Sequence, residues 1–311
     1  MRVVAIPRFG GPEVLEIIER HVPEPGDGEV RIRVAAATVN PTDIALRSGH
    51  HASRFADVQP PYVPGMELAG TVDAAGAGVD LRAGERVMAI VSPRSPGGGA
   101  QAEYVVVPAD SVARVPEGMG LAEAATLPMN GLTVRRALDL LALPPGASLA
   151  VTGAAGAVGG YTIQLAAEEG LRVVADAKPE DEELVRRLGA DVVVPRGPGV
   201  ADAIRRAVPE GVDALVDAAL IGPPALPAVR DGGHLAAVRP FQGETERGIT
   251  ITLVMVVEYL RNGGALARLV ELAADGRLTL RVADTIPVER VAEAHRRFEK
   301  GGVRGRLVLT F

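Results

Sequence analysis

The sequence predicts an α/β protein in which a β-rich segment is followed by a doubly wound parallel sheet. Short apolar or alternating runs, separated by Gly and Pro, fill the first third of the chain. From residue 148 onwards, short apolar runs alternate with segments of helical periodicity, which is the pattern of a parallel sheet covered by helices. A glycine-rich segment, 153–160, lies between the first of these strands and the first of these helices.

Length and composition exclude several classes of protein. The chain has 311 residues, enough for two domains, and contains no cysteine. Disulfides, thiolate nucleophiles, iron–sulfur clusters and cysteine-liganded zinc are therefore excluded. The formal charge of −6 argues against nucleic-acid binding. The longest apolar candidate, 249–257, is shorter than the ~18 residues of a membrane span. Since the N-terminus is also unlike a signal peptide, we expect a cytoplasmic protein without a membrane contact.

Turn residues divide the first third into short predicted strands. These strands cover 30–34, 65–72, 86–91 and 104–107. Many short strands with turn signals between them are typical of a small barrel-like domain.

In the middle and the tail of the chain, predicted helices alternate with predicted strands. Helical periodicity covers 121–126 and 132–143. The strands predicted after it are 148–152, 172–175, 191–194, 214–216 and 234–238, and the helices are 159–169, 180–188 and 200–208. The tail has predicted helices at 265–274 and 288–300 and a last strand at 306–310, and we expect it to return to the first domain. The predicted division is 1–118 with 259–311, and 119–258.

The glycine-rich segment has the context of a dinucleotide-binding loop. Gly153 and Gly156 allow a tight turn and let backbone N–H groups approach a pyrophosphate at the helix N-terminus. Gly159 allows the helix to pack closely on the strand. The predicted cofactor-binding residues of this segment are Gly153, Ala154, Ala155, Gly156, Ala157, Val158 and Gly159. The alternative is a tight packing turn without a ligand.

The residues after the second parallel strand point to two different cofactors. An acidic side chain at this place binds the ribose 2′-hydroxyl of NAD, whereas a cation suits the 2′-phosphate of NADP. Asp176 favours NAD, and Lys178 favours NADP. Arg196, after the third strand, is a second cation that is able to reach a 2′-phosphate. The alternative for both cations is ordinary solvated surface charge.

Short motifs in a fixed order carry a resemblance to a known family. They are VNPTD (39–43), PYVPGMELAG (61–70), GERV (84–87), AEYV (102–105), LPMNGLT (127–133) and GVRGRLVL (302–309). With these motifs and the glycine-rich loop, the chain resembles, nearly end to end, the zinc-independent quinone oxidoreductase (ζ-crystallin-like) branch of the medium-chain dehydrogenase/reductase superfamily. The resemblance implies a Rossmann cofactor domain and a β-rich GroES-like catalytic domain.

The resemblance also bears on metal and cofactor. Zinc-dependent relatives carry Cys and His where this chain has Asn40 and Met66, so we expect no metal. In NAD-using relatives the acidic residue falls one place after Asp176, at Ala177. Lys178 falls where NADPH-using members often have a small polar or basic residue. The resemblance therefore favours NADPH.

The activity implied is hydride transfer from NADPH to a quinone or an α,β-unsaturated carbonyl. Negative charge develops on the carbonyl oxygen, which calls for hydrogen-bond donors and a proton source. Asn40 is the candidate donor to that oxygen or to the carboxamide, and Asp43 is expected to hold the loop or a water. Ala45 stands where some members have Tyr, which removes a phenol donor and suggests a different or more apolar substrate.

Further cofactor contacts are expected from the matching motifs. Asn130 and Thr133 begin the helix predicted to join the two domains, and Ala218 and Ala219 end a parallel strand. The remaining candidates are Val238, Phe241 and Arg304. The alternatives are a plain core residue for Phe241 and an ordinary loop charge for Arg304.

An apolar edge-strand candidate, 250–255, is the place where family members often join sheets, so we expect a homodimer. Two other functions stay open. One is a dedicated enoyl reductase that acts on thioesters, and the other is a non-catalytic NADPH-binding structural or sensor protein.

Overall fold

The chain divides into two units in the computed structural model, which describes residues 1–311. The first unit comprises Met1–Met129, Leu260–Ala274 and Leu280–Phe311. The second unit comprises Asn130–Tyr259 and Asp275–Thr279. None of the helices is both long and apolar enough to cross a bilayer.

Strands and helices are numbered in chain order. The strands are β1 (Arg2–Ala5), β2 (Glu16–Glu19), β3 (Glu29–Thr38), β4 (Glu67–Ala75), β5 (Arg86–Ile90), β6 (Tyr104–Pro108), β7 (Val112–Arg114), β8 (Ser148–Thr152), β9 (Arg172–Ala177), β10 (Val192–Pro195), β11 (Val212–Asp217), β12 (Val229–Ala237), β13 (Thr250–Leu253), β14 (Val282–Pro287) and β15 (Arg306–Thr310). The α-helices are α1 (Pro41–Arg47), α2 (Leu121–Ala124), α3 (Pro128–Leu141), α4 (Ala157–Glu168), α5 (Glu182–Arg187), α6 (Val200–Ala207), α7 (Gly263–Ala274) and α8 (Val291–Lys300).

The main sheet of the first unit is built around β3. The strand order is β14-β15-β3-β4-β5-β7, and β6 also pairs with β3. The ten residues of β3 have room for two partners on one edge: residues 29–33 pair with β6 and residues 36–38 pair with β15. Successive side chains of a strand point to opposite faces, so the alternation of apolar residues with arginine predicts one buried face. The structure confirms this, because Val30, Ile32 and Val34 are buried on one face of β3.

The sheet of the second unit has six parallel strands in the order β10-β9-β8-β11-β12-β13. Its central strands β8, β9 and β11 are largely buried and apolar, because helices cover both faces of a parallel sheet. From β8 the chain adds strands on one side, up to β10, and from β11 it adds them on the other side, up to β13. Ligands of such sheets bind at the carboxyl ends of the strands where this direction changes, here between β8 and β11. The predicted doubly wound sheet and the separate β-rich sheet are both confirmed.

Several predicted bounds are wrong by a few residues. The predicted helix 132–143 begins four residues earlier, because Pro128 suits the first turn of a helix, and ends at Leu141. The predicted strand 65–72 begins at Glu67, because Gly65 turns the chain with a φ of 100°. β1 and β2 were not predicted from the sequence, and the motif 39–43 follows the third strand, β3.

Candidate functional site

The glycine-rich loop connects β8 to α4 in the second unit. Gly153 has a φ of 69°, a conformation that favours glycine. Gly156 is the N-cap residue of α4, which begins two residues before the predicted start at 159. A Cβ on Gly159 would lie 2.7 Å from Ala154 Cα, so glycine is needed where the helix crosses the loop. The N-terminus of α4 has no side-chain cap, which leaves backbone N–H groups for a ligand.

The end of β11 lies against this loop. Thr152 donates its hydroxyl to Asp217 at 2.7 Å and accepts the backbone N–H of Ala219 at 3.2 Å. A Cβ on Gly153 would lie 3.0 Å from the nitrogen of Ala219. The structure therefore brings Ala218 and Ala219 to the loop at the carboxyl ends of neighbouring strands.

Asp176 lies near the end of β9 with 1% of its surface exposed. Its Oδ1 accepts the backbone N–H of Ala154 at 3.0 Å, and its Oδ2 lies 3.9 Å from Nε of Arg196. Burial raises the pKa of this carboxyl, while the Ala154 amide and the Arg196 charge oppose the shift. The carboxylate therefore faces the glycine-rich loop.

Two cations follow the adjacent strands β9 and β10. Lys178 comes directly after β9, and its side chain is 55% exposed and 3.8 Å from Glu180. Arg196 comes directly after β10, where its backbone N–H bonds to the carbonyl of Ala177, and its side chain is 40% exposed. Both cations are accessible to an anion at the carboxyl edge of the sheet.

Asn130 and Thr133 occupy the first turns of α3 and are buried. The Nδ2 atom of Asn130 has no hydrogen-bond partner within the protein. A buried amide without a partner is uncommon and fits a polar group supplied by a ligand.

The remaining predicted contacts are more dispersed. Val238 directly follows β12, and Phe241 is partly buried against the apolar core of the second unit. The packing of Phe241 agrees with the alternative of a core residue. Arg304 lies in the first unit, in the short loop before β15.

These features of the second unit fit a dinucleotide. The glycine-rich turn, the uncapped N-terminus of α4 and the orphaned amide of Asn130 suit phosphate and amide groups. The exposed cations Lys178 and Arg196 suit a further phosphate.

The candidate catalytic residues of the first unit lie at the start of α1, where Asn40 is the N-cap. Asp43 accepts the backbone N–H groups of Asn40 and Gly65, each at 2.8 Å. Asn40 and Asp43 have no exposed surface. Burial raises the pKa of Asp43 to about 7, although both backbone hydrogen bonds favour the ionised form. Asp43 thus ties the start of α1 to the turn at Gly65.

The side-chain amide of Asn40 makes hydrogen bonds to three other side chains of the protein. Its Nδ2 donates to Thr38 Oγ1 at 3.0 Å and to Glu67 Oε1 at 3.1 Å. Its Oδ1 accepts from Arg306 Nη2 at 2.7 Å. Thr38 Oγ1 and Glu67 Oε1 lie only 2.5 Å apart, so the two acceptors share one amide hydrogen, and the expected donation by Asn40 to a substrate oxygen or to the carboxamide stays a prediction.

A buried ion pair completes this cluster, and the sequence reading missed it. Arg306 Nη2 lies 2.8 Å from Glu67 Oε1, and the backbone N–H of Met129 donates to Glu67 Oε2 at 2.7 Å. Burial raises the pKa of Glu67, while the charge of Arg306 opposes the shift. The sequence does contain a signal for this ion pair. Two apolar strands begin with residues of opposite charge, β4 with Glu67 and β15 with Arg306.

The structure contains no group of three or more His, Asp or Glu side chains positioned to hold a metal ion. Met66, at one of the two positions where zinc-dependent relatives carry a ligand, is buried.

Comparisons with known proteins identify two family models along the chain. Residues 26–117 match the alcohol dehydrogenase GroES-like domain, and residues 188–309 match the zinc-binding dehydrogenase model.

Relatives and solved structures cover the whole chain. The quinone oxidoreductase of Homo sapiens is 30% identical over 330 residues, covering 99% of this chain and 97% of the relative. The chloroplastic NADPH-dependent alkenal/one oxidoreductase of Arabidopsis thaliana is 31% identical, covering 97% of this chain and 77% of the relative. The solved structure of an NAD-dependent alcohol dehydrogenase is 30% identical, with a TM-score of 0.86 and 100% of both chains covered. With both sheets, both family models and an end-to-end relative in agreement, the chain belongs to the zinc-independent quinone oxidoreductase type of the medium-chain dehydrogenase/reductase superfamily.

Proposed function

We propose that this protein is an NADPH-dependent oxidoreductase that transfers a hydride, without a metal ion, to a quinone or an α,β-unsaturated carbonyl. The observation that carries the choice of cofactor is the arrangement after β9 and β10. Lys178 and Arg196 are exposed there, whereas the carboxylate of Asp176 faces the glycine-rich loop. An accessible pair of cations suits a 2′-phosphate, and a buried, occupied carboxylate is a poor acceptor for a ribose hydroxyl. The names of the relatives support the two acceptor classes.

The second unit holds the cofactor in this proposal. The glycine-rich loop and the start of α4 bind the pyrophosphate, and Lys178 and Arg196 bind the 2′-phosphate. Asn130 offers its unpartnered amide to a polar group of the cofactor. The other proposed contacts in this unit are Thr133, Ala218, Ala219, Val238 and Phe241. The bound cofactor supplies the hydride, and the protein supplies binding and orientation.

The first unit acts on the reaction by positioning. Asp43 fixes the start of α1, and Asn40 is held by Glu67 and Arg306. Such a cluster keeps α1 in one orientation, because every hydrogen bond in it is buried. Ala45 on α1 offers no proton donor, which suits an apolar acceptor.

We propose that residues 1–118 with 259–311 form the catalytic domain and that residues 119–258 form the NADPH-binding domain. We also propose a homodimer that forms through β13, which is an edge strand of the parallel sheet.

Cofactor binding by single variants tests the proposed specificity. Lys178→Ala and Arg196→Ala each remove a cation from the proposed 2′-phosphate site. We expect each to raise the Kd of NADPH about tenfold, the size of one lost charge-assisted contact, with little effect on NADH. Isothermal titration or nicotinamide fluorescence measures both constants.

Arg186→Ala is the matched control, because it removes an exposed arginine of α5 in the same unit. The control should leave both constants unchanged. Equal losses of NADPH and NADH binding in Lys178→Ala and Arg196→Ala would refute the assignment of a 2′-phosphate site.

A further inference from the structure

Asp176 lies near the end of β9, one residue before the place where NAD-using relatives carry the acidic side chain that binds the ribose. Its carboxylate has another partner in this protein, the backbone N–H of Ala154 at 3.0 Å. We propose that Asp176 is a positioning residue that anchors the glycine-rich loop, and that it does not recognise the ribose. This inference rests on the proposed function, because the loop is taken to bind the pyrophosphate of the cofactor.

The loop needs such an anchor because its own sequence restrains it little. Gly153 and Gly156 are glycines, which have more backbone freedom than other residues and lose more of it on ordering. Asp176 also faces the backbone amide of Gly153 and so reaches two successive residues of the turn. A loop held in its binding conformation in advance loses less entropy when a ligand binds.

Burial of the carboxylate supports this assignment. With 1% of its surface exposed, Asp176 is out of reach of a ribose hydroxyl unless the loop moves. Burying a charge is costly unless it is paired and hydrogen-bonded. The Ala154 amide provides the hydrogen bond, and Arg196, 3.9 Å away, provides the opposite charge.

The assignment gives different functions to two neighbouring side chains: Asp176 anchors the glycine-rich loop, and Arg196 binds the 2′-phosphate. The pyrophosphate is common to NADH and NADPH, so loss of the anchor weakens both cofactors alike. Of the cofactor groups, Arg196 contacts only the 2′-phosphate in the proposed function, so its loss weakens NADPH more than NADH. Asp176→Ala removes the acceptor of the Ala154 amide, whereas Asp176→Asn keeps an oxygen at the same place.

The first measurement is hydrogen–deuterium exchange of the cofactor-free protein, read on peptides that cover 153–156. We expect Asp176→Ala to accelerate exchange at the Ala154 amide about tenfold or more, the size of a lost hydrogen bond to a carboxylate. Asp176→Asn should exchange like the unsubstituted protein. Unchanged exchange in Asp176→Ala would overturn the anchor, and so would equal acceleration in Asp176→Asn.

The second measurement is the Kd of NADH and of NADPH for the same variants. We expect Asp176→Ala to raise both constants by a similar factor of about ten, and Asp176→Asn to restore both to within about twofold. A loss confined to NADH in Asp176→Asn would make Asp176 a ribose acceptor and refute the proposal. Binding of neither cofactor by the unsubstituted protein would refute the proposed function, while the exchange result would still decide whether Asp176 anchors the loop.

Discussion

At the scale of single residues, Asp43 makes folding sensitive to pH. It accepts the backbone N–H groups of Asn40 and Gly65, and it is fully buried. Burial raises its pKa from 3.8 to about 7; Arg306 lowers it and Glu67 raises it further, each by a smaller amount. Between these two pKa values the folded state keeps a proton that the unfolded state has released. The contribution of Asp43 to the free energy of unfolding therefore falls as the pH rises from about 4 to about 7, and it stays low above pH 7.

Asp43→Asn removes this titration. We expect the free energy of unfolding of the unsubstituted protein to fall relative to that of Asp43→Asn between pH 5 and pH 7. The difference in slope should be at most about 1.4 kcal/mol per pH unit, the value for one proton. Urea denaturation across this range measures it. Asp27→Asn, at an exposed carboxylate of the same unit, is the control. A constant difference between Asp43→Asn and the unsubstituted protein would contradict the assigned pKa.

Only part of the cluster around Asn40 and Asp43 is predictable from the sequence. The motif 39–43 singled out Asn40 and Asp43 and led to the expectation that Asp43 holds the loop or a water, but α1 and its N-cap at Asn40 were not predicted. The contact of Asn40 with Arg306 was beyond prediction, because Arg306 is 266 residues away along the chain. A pairing across that separation depends on the order of the strands, which a single sequence does not reveal.

At the scale of elements, the turn from β8 to α4 depends on close packing. Replacing glycine by alanine inside a helix normally stabilises it by about 1 kcal/mol. Gly159 is an exception, because its Cβ would lie 2.7 Å from Ala154 Cα and still closer to the carbonyl oxygen of Gly153. The sequence predicted a strand, a loop and a helix here, and the spacing of the glycines pointed to the close approach. It placed the start of α4 two residues late, because Gly156 caps the helix with its backbone alone.

We expect Gly159→Ala to lower the free energy of unfolding by about 1–3 kcal/mol, the usual cost of overpacking, and to weaken cofactor binding. Thermal denaturation and cofactor titration measure the two effects. Gly199→Ala is the matched control, because Gly199 is the N-cap of α6 in the same unit, has a φ of −92° and has open space around its Cβ position. A Gly159→Ala protein as stable as the unsubstituted one would show that the loop does not need this contact.

At the scale of the whole molecule, the parallel sheet ends in two edge strands of different character. β10 ends at Pro195, and a proline discourages pairing with another chain. β13 carries no proline, and its Leu253 is exposed. The alternation of strands and helices predicted this sheet and its parallel direction. Which strand forms an edge follows from the order of the strands, and the chain order does not give that directly.

We expect the protein to be a dimer in solution and Leu253→Lys to shift it to a monomer, because a lysine on β13 opposes pairing between two copies. Light scattering on the eluting protein measures the mass. Leu220→Lys is the control, since Leu220 is an exposed leucine of the same unit outside the strands. A monomeric unsubstituted protein, or a Leu253→Lys variant that stays dimeric, would contradict an interface at β13.

The most direct test of the proposed activity is the rate at which the protein oxidises NADPH, and separately NADH, with 1,4-benzoquinone or a simple enone. Controls without enzyme are needed because quinones react spontaneously with reduced nicotinamides. We predict saturable turnover with a kcat/KM at least about tenfold higher for NADPH, the factor expected from one phosphate contact. Tight NADPH binding without turnover of either acceptor would contradict the proposed activity and favour a thioester substrate or a non-catalytic role. A preference for NADH would contradict the assignment of Lys178 and Arg196.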